Sequence, residues 1–475
     1  MSWNADDLAS ALQVDVASKG WRAERFSIDS RTIQPGEIFI ALQGEKMDGH
    51  HYVKAALDAG AEIAIVHHIV EGVDAQRQVL VDDTFDAMDE LAAYHRARLD
   101  AKLVGVTGSV GKTGAKEALR LALATKGETY ATSGNYNNHI GLPLCLINMP
   151  LSSKFGVFEM GMNHAGEISR LSVLLKPHLA MITTVESVHI EFFDSEEAIA
   201  DAKAEIFHGM DKNGIAALPF DNPHFVRLKK AAEKHGLGRV ISFGVNELAM
   251  CRLLDYKASL EGAEVTATIC GTPVSYRLGA MGRHWALTSV AVLAAAEALG
   301  ANLPKAAEAL ASFREPKGRG RMTQVSWGDG EILLVDDSYN ASPSSMAAAC
   351  EKLAELKRAL SGRRTVAVLG DMLELGDLAP RMHAGLAKKL EEAKVDEVHT
   401  AGTLMAHLHK ALPANMKGQH AADAPALTEE LQSRLHAGDV VLVKGSHGSG
   451  MWKLAEALQA NGGESNGNGG HAHAV

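Results

Sequence analysis

Gly105-Val106-Thr107-Gly108-Ser109-Val110-Gly111-Lys112-Thr113 is the stretch on which the reading of the whole chain turns. It follows the apolar run 103–106 and leads into Ala115-Lys116-Glu117-Ala118-Leu119-Arg120-Leu121, which has the composition of a helix's first turns. A strand that ends in a glycine-rich turn and opens a helix is a place to hold phosphate. Successive backbone N–H groups converge on the anion, and the positive end of the helix dipole faces it. This places Thr107, Gly108, Ser109, Val110 and Gly111 around the phosphates of ATP, Lys112 on the β- and γ-phosphates, and the Thr113 hydroxyl on Mg²⁺. The common spacing would need glycine at Val106; here the core is Thr-Gly-Ser-Val-Gly-Lys-Thr. The alternative is a plain glycine turn with a chance Lys-Thr, but the strand and helix that a phosphate loop requires are both present.

Working outward, 475 residues should divide into about three domains. The net charge of −11 does not suit nucleic acid as a partner. No apolar run approaches a membrane span, and Met-Ser-Trp-Asn-Ala-Asp-Asp is unlike a secretory signal, so a cytoplasmic protein is expected. Cys145, Cys251, Cys270 and Cys350 are scattered without pairing or metal-ligand spacing and read as small apolar residues of a reducing compartment.

Residues 1–98 mix short strands and helices. Ser30 and Arg31 lie exposed ahead of an apolar strand at 35–42, and Gly44 sits in the polar loop 43–51. A guanidinium fork beside such loops suits a diphosphate, and a solvated turn with a surface arginine suits the same residues. A helix is expected at 52–61 and a buried strand at 63–66.

Residues 99–313 alternate strand and helix, the pattern of a parallel sheet covered by helices. Asn137 and Asn138 stand in the loop 133–143, either as turn formers or as amides that position a substrate. Glu159 ends the strand 155–160, where a carboxylate facing the phosphate loop is a candidate Mg²⁺ ligand. His189 lies past the strand 180–185. A lone histidine is more often structural, and a second metal-capable side chain on the neighbouring strand end favours a site. Lys203 and Glu205 fall in a helical run at 198–207, where composition alone makes Lys203 an ordinary exposed lysine. Residues 250–280 read as a small antiparallel insertion and 287–299 as a buried apolar helix.

A basic, glycine-containing linker at 313–321 opens a second α/β region, with strands at 332–335, 365–369 and 440–443. Polar loops follow these strands at 336–340, 370–372 and 444–448, where ligands bind in open α/β sheets. Any one fits a structural loop; together they suggest a cleft closing over nucleotide. The domains are expected at 1–98, 99–313 and 314–460, with a disordered Gly/Asn/His-rich tail at 461–475.

The segments 107–113, 135–141, 158–164, 202–206, 336–343, 369–376 and 443–446 together resemble the Mur ligases, ATP-dependent amide-forming enzymes of peptidoglycan synthesis. The resemblance covers nearly everything but the tail. The forms Asp-Ser-Tyr-Asn-Ala-Ser-Pro and Leu-Gly-Asp-Met-Leu-Glu-Leu-Gly are closest to the members that add D-alanyl-D-alanine to UDP-N-acetylmuramoyl-tripeptide. The resemblance implies three α/β domains: an N-terminal substrate domain, a central phosphate-loop ATPase domain and a Rossmann-like C-terminal domain that closes the site. It implies an acyl-phosphate mechanism with ATP and Mg²⁺. It makes Lys203 the family's carbamylated lysine, sharing a second Mg²⁺ with His189. Arg319 becomes the linker arginine on the γ-phosphate, with Arg321 competing for that alignment. Asp337 is implied as the ribose ligand and Asn340 as a nucleotide contact. Ser30, Arg31, Gly44, Asn137, Asn138, Lys444 and Ser446 are implied to face substrate, and a monomer is expected. Two departures stand out: Thr288 where the family usually has asparagine near adenine, and Gly114 where it has Ser or Thr. Other amide ligases of the superfamily, such as the diamino-acid adder or folylpolyglutamate synthase, are the alternative. A nucleotide switch would need an Asn-Lys-x-Asp stretch, which the sequence lacks.

Overall fold

Three sheets organise the chain in the computed structural model, which describes residues 2–44, 46–134, 136–188 and 190–461. The expectations for His189 and for the tail at 462–475 lie outside the described residues; Asn461 is the last residue of the helix Met451–Asn461.

The first sheet pairs Phe26–Ser27, Ile38–Ile40, Ile63–Val66 and Gln78–Leu80, all parallel. The expected helix at 52–61 is shorter, a 3₁₀ turn Gly49–Tyr52 followed by Val53–Asp58, because Gly60 takes a left-handed conformation (φ 108°). The helix Thr84–Arg98 starts on Asp83, whose carboxylate accepts from the amides of Phe85 and Asp86. This helix docks the first domain on the second. His95 bonds the Met149 carbonyl, Arg96 the Leu175 carbonyl, and Asp89 takes Arg170 at 2.6 Å.

The central sheet has nine strands. In spatial order they are Thr272–Leu278, Gly262–Ile269, Cys251–Ser259, Arg239–Gly244, Ile215–Pro219, Leu179–Ile182, Lys102–Thr107, Phe155–Glu159 and Thr129–Ala131. It is parallel from Thr129–Ala131 across to Cys251–Ser259, and its last three strands run antiparallel to one another. The antiparallel hairpins expected as an insertion are therefore the sheet's own edge. Lys102–Thr107 is flanked by Phe155–Glu159 on one side and Leu179–Ile182 on the other. The chain crosses from one flank to the other, which opens a crevice at the carboxyl end of Lys102–Thr107.

The buried helix Arg283–Ala298 packs beside the helix Lys112–Ala124 that follows the phosphate loop. A Cβ on Gly114 would stand 2.0 Å from the Trp285 ring. The glycine that departs from the family pattern thus makes room for a tryptophan rather than merely lowering helix propensity.

The third sheet has six strands, in order Arg321–Trp327, Gly330–Asp337, Val440–Lys444, Thr365–Gly370, Glu397–Ala401 and Lys417–Ala421. The first is antiparallel to the second and the rest are parallel. Among the described residues no helix is long and apolar enough to cross a membrane.

Candidate active site

A cleft of about 1270 Å³ lies between the carboxyl ends of the central and third sheets, and both walls come from this one chain. On the central wall the backbone does most of the positioning. Gly111 caps the helix Lys112–Ala124 in the left-handed region (φ 84°), and Gly108 sits at φ 147° with no room for a Cβ, which would fall 1.9 Å from the Thr183 hydroxyl. Thr183 fills that space, its Oγ1 donating to the Val110 carbonyl at 2.5 Å. The fully buried Thr107 donates to the Met160 carbonyl, and the amide of Ser109 donates to the carbonyl of Thr184 at 2.9 Å. The loop is thus held from the strand on either side.

Two side chains meet on the Glu159 carboxylate. Thr113 Oγ1 donates to Glu159 Oε2 at 2.8 Å, and Asn137 Nδ2 donates to Glu159 Oε1 at 2.9 Å. Lys112 Nζ folds back onto the Gly108 carbonyl at 2.7 Å. Loss of water holds the Lys112 ammonium below the usual lysine range; nearby Glu159 opposes this and Arg319 adds to it. Asn138 lines the cleft while its Oδ1 caps the turn at Ile140 and Gly141.

Lys203 is buried, not exposed as its composition suggested, because the last turn of the helix Glu196–Ala204 points inward before continuing as the 3₁₀ turn Glu205–Phe207. Burial holds its ammonium well below the usual range, repulsion from Lys112 adds to this, and Glu186 opposes it. Glu205, beside it, accepts from the amides of Gly166 and Ser169 at the start of the helix Glu167–Leu175 and is structural.

Charged side chains shape the wall that the third sheet provides. Asp337 pairs with Lys444 at 2.8 Å, and Lys444 also donates to the Asn340 carbonyl at 3.0 Å. Burial raises the Asp337 carboxyl, with Lys444, Lys352 and Arg319 opposing. Arg319 lies over the Tyr339 ring at 4.2 Å and lines the cleft, whereas Arg321 is exposed on an edge strand away from it. Asn340 lines the cleft too, but Ser446 does not. Its buried hydroxyl accepts from the Leu373 amide and donates to the Ala341 carbonyl, so it ties two loops together.

Ser30, Arg31 and Gly44 do not line this cleft either. Arg31 is exposed and forks onto Asp29 (2.8 and 2.6 Å), and Gly44 closes a turn on the Met47 carbonyl.

Three groups on the walls were not singled out from the sequence. Glu186 follows the strand Leu179–Ile182, receives Ser109 Oγ on its backbone carbonyl, and accepts from the Ser344 hydroxyl of the third domain. Burial raises its carboxyl. Lys352 donates to Glu315 (3.1 Å) and to the Gly320 carbonyl (2.5 Å), spanning the linker. Trp285 fills the space beside Gly114. An acid on a strand-end loop was a usable signal for Glu186; Lys352 and Trp285 lie in helices whose partners are distant in sequence.

Three family profiles match in order: Mur ligase family, catalytic domain, over 24–97; Mur ligase middle domain over 106–296; and Mur ligase, glutamate ligase domain, over 320–447. A UDP-N-acetylmuramoyl-tripeptide–D-alanyl-D-alanine ligase of Rickettsia prowazekii is 33% identical over 459 residues, covering 97% of this chain and all of that protein. Among solved structures, MurF from Acinetobacter baumannii superposes with a TM-score of 0.83 at 29% identity, covering 97% of this chain and 99% of that one. The MurF ligase of Thermotoga maritima in complex with ADP gives 0.76 at 28% identity, covering 92% and 97%.

Proposed function

The chain belongs to the Mur ligase family, and from that premise we propose that it joins D-alanyl-D-alanine to UDP-N-acetylmuramoyl-tripeptide, converting ATP to ADP and phosphate. The reaction is a peptidoglycan-precursor step catalysed by an ATP-dependent, amide-forming ligase. The observation that carries the reading is that Lys112 and Glu159, the latter bonded to Thr113, line one wall of a cleft whose other wall holds Arg319, Asp337 and Lys444. Both walls are built by one chain, which supports action as a monomer, and we place it in the cytoplasm with its nucleotide substrates.

The first step brings a peptide carboxylate against the γ-phosphate, so two anions must meet. Lys112 from the loop and Arg319 from the linker face that point from opposite walls and offset the charge that builds there. The amides of residues 108–111 cradle the phosphates, Asp337 takes the ribose and Asn340 the nucleotide. Thr113 and Glu159 present adjacent oxygen donors, the set a hard cation takes, and so would hold Mg²⁺. Bound there, Mg²⁺ would neutralise phosphate oxygens. Asn137 steadies the free oxygen of Glu159. Attack breaks the β–γ phosphoanhydride, giving an acyl phosphate and ADP; the amine of D-alanyl-D-alanine then forms the amide as phosphate leaves. Lys444 and Asn138 line the space where these substrates would meet. Ser30, Arg31 and Gly44 form a separate surface for the UDP end.

The depressed Lys203 supports carbamylation. A neutral amine adds CO₂, loses a proton and becomes an anion of the kind that holds a cation. The test of the whole reading is incubation with ATP, Mg²⁺, UDP-muramoyl-tripeptide and one amine at a time, with phosphate release and product mass as readouts. D-Alanyl-D-alanine should give ADP and a pentapeptide. Turnover with a diamino acid or glutamate but not with D-alanyl-D-alanine overturns it.

A further inference from the structure

Cys251 and Cys270 are 19 positions apart in sequence, and the fold closes that distance. Cys251 opens the strand Cys251–Ser259, which pairs antiparallel with Gly262–Ile269, Arg252 opposite Thr268. Continued by one step, that register sets Ile269 opposite Cys251, with Cys270 the next residue along. The two Sγ atoms lie 3.5 Å apart, and the Cys270 amide donates to Cys251 Sγ at 3.3 Å. Cys270 occupies a left-handed turn position (φ 45°) ahead of Gly271 (φ 88°), so the turn itself carries its thiol toward the strand. Cys251 is buried and Cys270 is exposed. An oxidant therefore reaches Cys270 first and Cys251 only through it. Neither thiol lines the nucleotide cleft, and the proposed ligase chemistry uses neither.

We propose that Cys251 and Cys270 are a reversible dithiol–disulfide site, oxidised by exchange with a small-molecule disulfide such as glutathione disulfide. Cys270 thiolate attacks one sulfur of glutathione disulfide, forming a mixed disulfide and releasing one glutathione thiolate. Cys251 then gives up its proton and attacks the Cys270 sulfur, forming the internal bond and releasing the second glutathione. Two protein thiols are oxidised and one disulfide is reduced to two thiols, so the electrons balance. Sulfurs already in contact need only a small side-chain rotation to reach bonding distance, about 2 Å. Burial, with Cys270 beside it, pushes the Cys251 thiol up to about 12, which makes Cys270 the first nucleophile and Cys251 the resolving one. In a reducing compartment such a pair spends most of its time as thiols and closes under oxidative load.

The full-length protein, equilibrated with a series of reduced and oxidised glutathione mixtures, acid-quenched and alkylated after unfolding, tests this. The site predicts that free thiols fall from four to two in the monomeric fraction, with a single peptide pair joining 251 to 270, reversed by dithiothreitol. Cys251→Ser should trap glutathione on Cys270, at about tenfold the level seen in the parent. Cys270→Ser, an exposed change that spares the core, should leave Cys251 reduced throughout. Stable glutathione on Cys270 of the parent protein, a Cys270–Cys270 dimer, or four free thiols at every potential would each overturn the assignment.

Discussion

The two walls of the cleft are built differently. The central wall is backbone: Gly108 and Gly111 shape a loop locked by Thr183, and its side chains add hydrogen bonds of 2.7 to 2.9 Å to a scaffold already in place. The wall from the third domain is charge: Asp337 on Lys444, Arg319 over Tyr339, and Lys352 held from behind by the buried Glu315. A wall made of backbone keeps its shape without any one side chain and fails all at once when a glycine is replaced. A wall made of ion pairs keeps its place through desolvated charges, each costly to orphan but replaceable in pairs.

The sharpest way to break this contrast is Lys112→Ala. It should lower turnover by about 10³-fold with the melting temperature preserved, because the loop is held by glycine geometry and not by the lysine. Glu159→Ala should act comparably in an ADP-release assay. Near-parent rates in either would detach the loop from the chemistry. Lys203→Ala should be almost inactive and partly recover with added short-chain carboxylic acids; an equal response to those acids in the parent would argue against the carbamate. On the other wall, Lys352→Met should leave Glu315 buried and unpaired and cost about 3 kcal/mol in denaturant unfolding. Pairing it with Glu315→Gln should restore most of that, and strict additivity would show that the two do not act as a pair. The smallest effect is expected from Glu186→Gln. Burial raises the Glu186 carboxyl in the folded state, so the parent loses stability as pH rises above the unfolded carboxyl's range. The variant should therefore gain about 2 °C in melting temperature over the parent near pH 8 and little near pH 4. The opposite pH trend would mean the charge is stabilised by Ser344 and Lys203.

The same contrast explains what the sequence made legible. The phosphate loop is local: strand, glycines, lysine and helix sit within a few residues, so residues 105–113 carried their own geometry. Glu159 and Thr113 were legible as strand-end and helix-start positions, and the structure joins them directly. Partners separated by long stretches were not. Gly114 makes sense only beside Trp285, Lys203 is buried by the direction of a final helical turn, and Cys251 meets Cys270 through strand register. Ser446 faces Ala341 and Leu373, not the cleft, which a polar loop after a strand could not reveal. Strands such as Glu397–Ala401 and Lys417–Ala421 are too polar to stand out, and His399 is fully buried within the first of them.

The linker bonds carry one last consequence. On one side Glu315 accepts from the Met281 amide, fastening it to the central domain; on the other, Gly320 donates to Asp336 and Gly318 accepts from Tyr339, fastening the turn after Pro316 to the third. Between those anchors the proline ring fixes its own φ and confines Glu315 to extended backbone, leaving the ψ of Pro316 and the two torsions of Lys317 as the rotatable bonds at the junction. Any swing of the third domain is therefore confined at this junction to residues 316 and 317, with the Lys352 ammonium bridging Glu315 and the Gly320 carbonyl across them.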